Sequence, residues 1–220
     1  MKQLIFTALL TLSAIMLHGQ IYEGTAGMSA GTQNALIIDL PGVNDDIVND
    51  VWKEYMKDFY NAKPKYQRRD REWLSDDADI AAIGKGNSVD IYAKAEQQDA
   101  NTRFFMWVDL GGAFLNKSEH PEAYTEGEKL LMRFGLEVAK AKVRIELETQ
   151  QDALKNLQRD LERLQSAKER YEREIQRAKE TIAKAEKDIE QNLQDQEAMQ
   201  EQIKAQEGVV EQVKRRLNDL

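Results

Sequence analysis

From Leu154 to the end of the chain, apolar residues recur at alternating spacings of three and four. In heptad notation the a positions are Leu154, Leu161, Lys168, Ile175, Ile182, Ile189, Gln196, Ile203, Val210 and Leu217. The d positions are Leu157, Leu164, Tyr171, Ala178, Ala185, Asn192, Met199, Gln206, Val213 and Leu220. About 16 of these 20 slots are apolar, against about 6 of the 47 positions between them, the signature of a coiled coil rather than of a solvated helix. The frame extends backwards more weakly through Leu147, Val143 and Leu136. The run TEGE at 125–128 matches a capping box, and no proline follows it. The pattern therefore predicts one long helix from the capping box to Leu220, roughly 140 Å in length.

The first half reads differently. Residues 34–40 (NALIIDL) form a strand candidate that stops at Pro41 and Gly42. Asn44 is placed to cap a helix, with Asp45 and Asp46 in its first turn, where carboxylates favour the helix dipole. Val43 and Val48 fall at hydrophobic-staple positions. Ile47, Val51, Tyr55 and Phe59 recur at spacing four beside Val48 and Trp52, which predicts one buried helix face ending before Pro64. Residues 65–74 suit an edge strand and 80–83 a short strand. Val89, Ile91, Ala93 and Ala95 alternate strictly, and 102–110 is the most strand-like run of all. The small, polar stretch 24–31 reads as a loop or an irregular edge.

The fold class predicted is α+β: a small antiparallel sheet with one helix, in the order β-α-β-β-β, followed by the long helix. Its domains are a leader at 1–19, a head at 20–120 and the coil at 121–220. All three tryptophans and most phenylalanines lie between Trp52 and Phe114, so the core is expected there, and 21–120 is expected to fold without the coil.

Composition narrows the setting. Lys2 followed by the apolar run 4–17 reads as a cleaved secretory signal with His18 and Gly19 at its end, too short to span a bilayer. No second apolar run is long enough to span, so the expected location is the periplasm or outside the cell. The chain has no cysteine, and hence neither a disulfide framework nor thiolate ligands. A formal charge of −8 argues against a basic nucleic-acid surface.

An apolar stripe of this length needs a partner helix. Isoleucine at several a positions favours a parallel homodimer, although alanine and tyrosine at d do not supply the leucine layer that fixes it. The alternative is a hairpin folding back near 191–196, where the core turns polar. Neither glycine nor proline marks a turn there, and the heptad continues in phase. Polar core residues Lys168, Asn192, Gln196 and Gln206 either fix register or mark a looser stretch.

Candidate chemistry is sparse. GMSAG at 27–31 spells the G-x-S-x-G of a nucleophile elbow, but no apolar strand leads into Ser29 and a strand, not a helix, follows it. His120 stands beside Glu119 and Glu122, short of the three or four converging ligands of a metal site. Asp76, Asp77, Asp79 and Asp90 lack the spacing of a calcium loop. No catalytic set, cofactor site or metal site is assembled. Lys63, Lys65, Arg68, Arg69 and Arg71, with Tyr66 and Trp73 among them, form a basic strip. It suits an anionic glycan, a lipid head group or an acidic protein, or simply guards an edge strand against aggregation.

The stretches MSAGTQN at 28–34, WVDLGGAF at 107–114 and EQNLQDQ at 190–196 carry a resemblance. The chain resembles a group of exported Bacteroidota proteins that pair a small α+β head with a C-terminal coiled coil. The resemblance implies export and this layout, and brings no activity with it. The reading that results is an exported structural or scaffold protein of the cell envelope. It self-associates through Leu154, Leu157, Leu161, Leu164, Tyr171, Ile175, Ile182, Ile189, Met199, Ile203, Val210, Val213 and Leu217, and its head meets an envelope partner or an anionic ligand.

Overall fold

The computed structural model describes residues 20–218; residues 1–19, where a leader is expected, and residues 219–220, with the last d position Leu220, lie outside them. Six strands, β1 (Ile21–Met28), β2 (Gly31–Leu40), β3 (Lys65–Gln67), β4 (Glu72–Ala78), β5 (Val89–Gln98) and β6 (Asn101–Asp109), form one sheet in the order β1-β2-β6-β5-β4-β3. Every neighbouring pair is antiparallel. Helix α1 (Asp45–Tyr60) joins β2 to β3, the single turn α2 (Ala81–Gly84) joins β4 to β5, and α3 (Pro121–Asn218) follows the sheet. The α+β class, the antiparallel sheet and the long C-terminal helix are as the patterning predicts.

Helix α1 starts where its cap does. The Asn44 side chain accepts from the Ile47 N–H at 3.0 Å, and Val43 and Val48 are buried. Val48, Trp52, Tyr55 and Met56 share one core with Leu36, Ile38 and Leu40 of β2, Ile91 and Ala93 of β5, and Phe104 and Met106 of β6. Phe59 departs from the expected buried face and is 59% exposed, because the helix ends one residue later in the left-handed Asn61.

Of the stretch 24–31, residues 24–28 form an edge of the sheet and not a loop. Strand β1 pairs with β2 along its entire length, and Ser29 and Ala30 form the turn between them. Its alternation is hidden because Gly24, Ala26 and Gly27 are small. Strand β2 meets β6 only through Leu36–Leu40, so the far end of the β1–β2 hairpin is free to leave the sheet plane. There the Ser29 N–H reaches the buried Glu72 carboxylate of β4 at 3.2 Å, although β6 and β5 stand between them in the sheet. The hairpin thus lies across the second sheet face and encloses a smaller core of Ala35, Ile37, Phe105 and Trp107. Residues 80–83, expected as a strand, turn instead into α2.

Helix α3 begins at Pro121, four residues before the capping box suggested. Proline at the first helical position loses no internal hydrogen bond, and Thr125 Oγ1 donates back to the Pro121 carbonyl within the helix. The core does not end at residue 120: Ala123, Tyr124, Leu130, Leu131, Phe134 and Val138 belong to it. The Phe134 ring lies 4.5 Å from Phe104 and 5.1 Å from Trp52. The Tyr55 hydroxyl donates to the Leu130 carbonyl at 2.9 Å.

Gly127 and Gly135 let α3 approach β2. A Cβ on Gly135 would stand 2.8 Å from Ile38 Cδ1, and one on Gly127 3.3 Å from Leu36 Cδ2. Each glycine costs the helix about 1 kcal/mol relative to alanine, which the close packing offsets.

The chain divides into two units after Gln150. In the second unit α3 continues without a break through 191–196, where a fold-back would have needed a turn. None of the described residues beyond 150 is buried.

Candidate functional site

The largest candidate surface is the heptad stripe of α3. Leu154, Leu157, Leu161, Leu164, Tyr171, Ile175, Ile182, Ile189, Met199, Ile203, Val210, Val213 and Leu217 are each 44% to 70% exposed. At the 3.5 residues per turn of a supercoiled helix all of them fall along one stripe, whereas in a straight helix the stripe drifts by about 20° per heptad. Ion pairs such as Arg163–Asp160 at 3.5 Å and Arg170–Glu174 at 3.8 Å run along the same helix. Exposed pairs of this kind contribute a few tenths of a kcal/mol each. They support the helix and leave the stripe open.

Two polar seam positions have partners on their own strand. Lys168 pairs with Glu172 at 3.5 Å, which draws the ammonium from an a position toward the e flank. Gln196 Nε2 donates to Asn192 Oδ1 at 2.6 Å, so neighbouring a and d positions form one polar node.

The second surface is the basic strip. Lys63, Lys65, Arg68, Arg69 and Arg71 are all exposed and fall on the short edge strand β3, the residues before it and the turn into β4. Arg71 takes the left-handed conformation that closes this turn (φ 55°). None of the five joins an ion pair among the described residues. Tyr66, 44% exposed, packs against Trp73 at 5.0 Å. The Trp73 indole is anchored from below by donating to Asn49 Oδ1 at 2.9 Å.

The remaining candidates separate. Ser29 occupies a strand–turn–strand hairpin, not the strand-to-helix turn of a nucleophile elbow. His120 precedes α3 and lines a cleft of about 430 Å³ with Lys85, Asn87 and Glu122. A 2.9 Å hydrogen bond from Lys85 holds the exposed Glu122 carboxyl below its ordinary value. Asp77 and Asp90 are tied together differently from a cation site: the Asp77 N–H donates to Asp90 Oδ1 at 2.8 Å. No group of three or more metal-ligating side chains is gathered among the described residues. No helix among them is long and apolar enough to cross a membrane.

Sequence reading missed the buried Glu72. It lies in a stretch read as a polar edge, and only the hairpin crossing the sheet takes it out of water. Burial first, then the charges of Asp90, Asp109 and Glu72, pushes the Tyr92 phenol above its ordinary value. Burial first, then Glu23 and Glu128, pushes Tyr124 up to about 12. Burial first, then its hydrogen bond with Tyr60, raises Tyr55.

No family model matches the chain, and neither a curated protein nor a solved structure matches it.

Proposed function

We propose that this chain is an exported structural protein of the cell envelope whose long helix joins two copies in a parallel coiled coil and presents the heads to a partner. One observation carries the reading: an unbroken heptad stripe of large apolar side chains, each about half exposed or more, on a helix that never folds back to cover it. Covering these side chains would remove on the order of 1,000 Å² per chain from water, above the roughly 800 Å² per partner of a standard specific interface. Isoleucine at a positions 175, 182, 189 and 203 supports two parallel strands, and the Asn192–Gln196 node supports a single register. Export rests on the leader at 1–19 and on the resemblance to exported head-and-coil proteins.

Sedimentation of the chain at tens of micromolar tests this. A dimer is expected. A strongly helical monomer would end the proposal.

A second reading has its own support. Five exposed cations collected in one hairpin, with Tyr66 beside them, favour an anionic ligand at the head, the coil then setting valency. Titrating residues 20–150 with a sulfated polysaccharide separates the two readings. Affinity falling steeply with salt supports capture by the strip. Absence of binding leaves the strip as protection for an edge strand.

A further inference from the structure

Helix α3 has two apolar faces where it crosses the head. Leu131, Phe134 and Val138 point into the core. Met132, Leu136, Val143 and Leu147 are 64%, 56%, 61% and 55% exposed. Residues two apart are about 200° around the helix axis, so Phe134 and Leu136 lie on nearly opposite sides. Leu136 and Val143 occupy d and Leu147 occupies a in the frame set by 154–217. The head buries one side of the helix and leaves the in-phase side open.

Two more observations set the flank of this open face. Lys140, at an a position, pairs with Glu137 at e at 2.6 Å, as Lys168 does with Glu172 further along. In both places the cation is drawn off the seam onto its own helix. Glu137 and Arg144, both e residues, border a groove of about 300 Å³ whose other wall is Phe59 of α1. Phe59 is the large apolar side chain that α1 fails to bury, its ring 5.0 Å from Tyr55.

We propose that the seam begins beside the head, at Met132–Leu147, and that the helix of a second copy lies there in parallel and in register, flanked by Phe59. This rests on the self-association proposed above. Equal positions then meet: Leu136 with Leu136, Val143 with Val143, Leu147 with Leu147. A g residue of one strand crosses to the e flank of the other, which carries Met132 of the second copy toward Glu137 and the Phe59 wall. At the 8–10 Å spacing of packed helices, each head becomes part of the dimer interface and not merely an appendage of it.

The chain has no native cysteine, so single-cysteine variants read the register directly. Val143→Cys, beside the head, and Ala178→Cys, far from it, are both d positions. Under mild oxidation both are expected to form covalent dimers to a similar extent, since parallel in-register d layers bring like residues within disulfide reach. Cross-linking at Ala178→Cys but not at Val143→Cys overturns this proposal and leaves self-association intact. No cross-linking at either site in a chain that sediments as a dimer shows an antiparallel or shifted pairing and also overturns it. A monomeric wild-type chain removes the underlying reading as well. Phe59→Glu, exposed and so harmless to the head fold, is expected to raise the dimer dissociation constant roughly tenfold. An unchanged constant overturns the part assigned to α1.

Discussion

One helix serves two regimes. Over 121–138 the side chains of α3 complete a core: Phe134 and Leu131 are fully buried among residues brought from 36 to 115. Beyond 150 the same helix carries large apolar residues at regular spacing and buries none of them. The first segment tolerates Gly127 and Gly135, poor helix formers, because the sheet holds it. The second, none of whose described residues is buried, relies on good helix formers and ion pairs along its own length. Helical structure is thus a consequence of packing in one segment and of local sequence in the other.

Truncation should separate the two segments most strongly. A fragment of residues 20–120 lacks Tyr124, Leu131 and Phe134 and is expected to give a collapsed, poorly dispersed NMR spectrum. Residues 20–150 are expected to give a dispersed one. If the shorter fragment folds, α3 is dispensable to the core and its two segments do not differ in this way.

Next in size is Phe134→Ala. Emptying a site between Trp52 and Phe104 should cost about 3–5 kcal/mol, most of the stability of a small domain. Denaturation followed by tryptophan fluorescence measures it. Trp107→Ala, in the smaller core under the hairpin, belongs to the same class.

Ile182→Asp acts on the other regime. A carboxylate in the apolar seam of each strand opposes assembly by desolvation and by repulsion. The variant should sediment as a monomer while the unfolding of the head is unchanged. Lys184→Asp, off the seam, should remain associated.

The smallest effect is alkaline. The Tyr124 phenol stands at about 12 in the fold against 10.0 ordinarily. Between these values the unfolded chain has lost a proton that the fold retains. The stability is therefore complete below pH 10 and drains away as pH rises through about 12. Tyr124→Phe should flatten this decline in unfolding curves taken from pH 9 to 12, and residues 151–220 alone should show no counterpart from this group.

The sequence makes some of this plain and conceals the rest for physical reasons. Asn44 and the Val43–Val48 staple mark the start of α1 because capping is local. The heptad from Leu154 is legible because period and composition agree over many turns. Strand β1 is concealed because Gly24 and Ala26 have little side chain with which to show alternation. The role of Phe134 is concealed because its partners, Trp52 and Phe104, are supplied by distant strands and helices, and no local pattern records them. For the candidate surfaces, the basic strip is visible as a run of charges. The Phe59 flank is not, since its spacing assigns it to a face that the helix end leaves uncovered.

The hydrogen bond from Tyr55 to the Leu130 carbonyl spans 75 positions of chain, and Gly135 rests on Ile38 across a longer interval still. A polypeptide is made, and threaded through any export channel, from its N-terminus. All six strands and α1 therefore emerge before the turns of α3 that seal them. During that delay Leu36, Ile38, Trp52 and Phe104 face solvent together, a transient sticky surface on an unfinished sheet. The time to produce or thread residues 121–138 then sets how long this surface is open to a chaperone or to a neighbouring nascent chain.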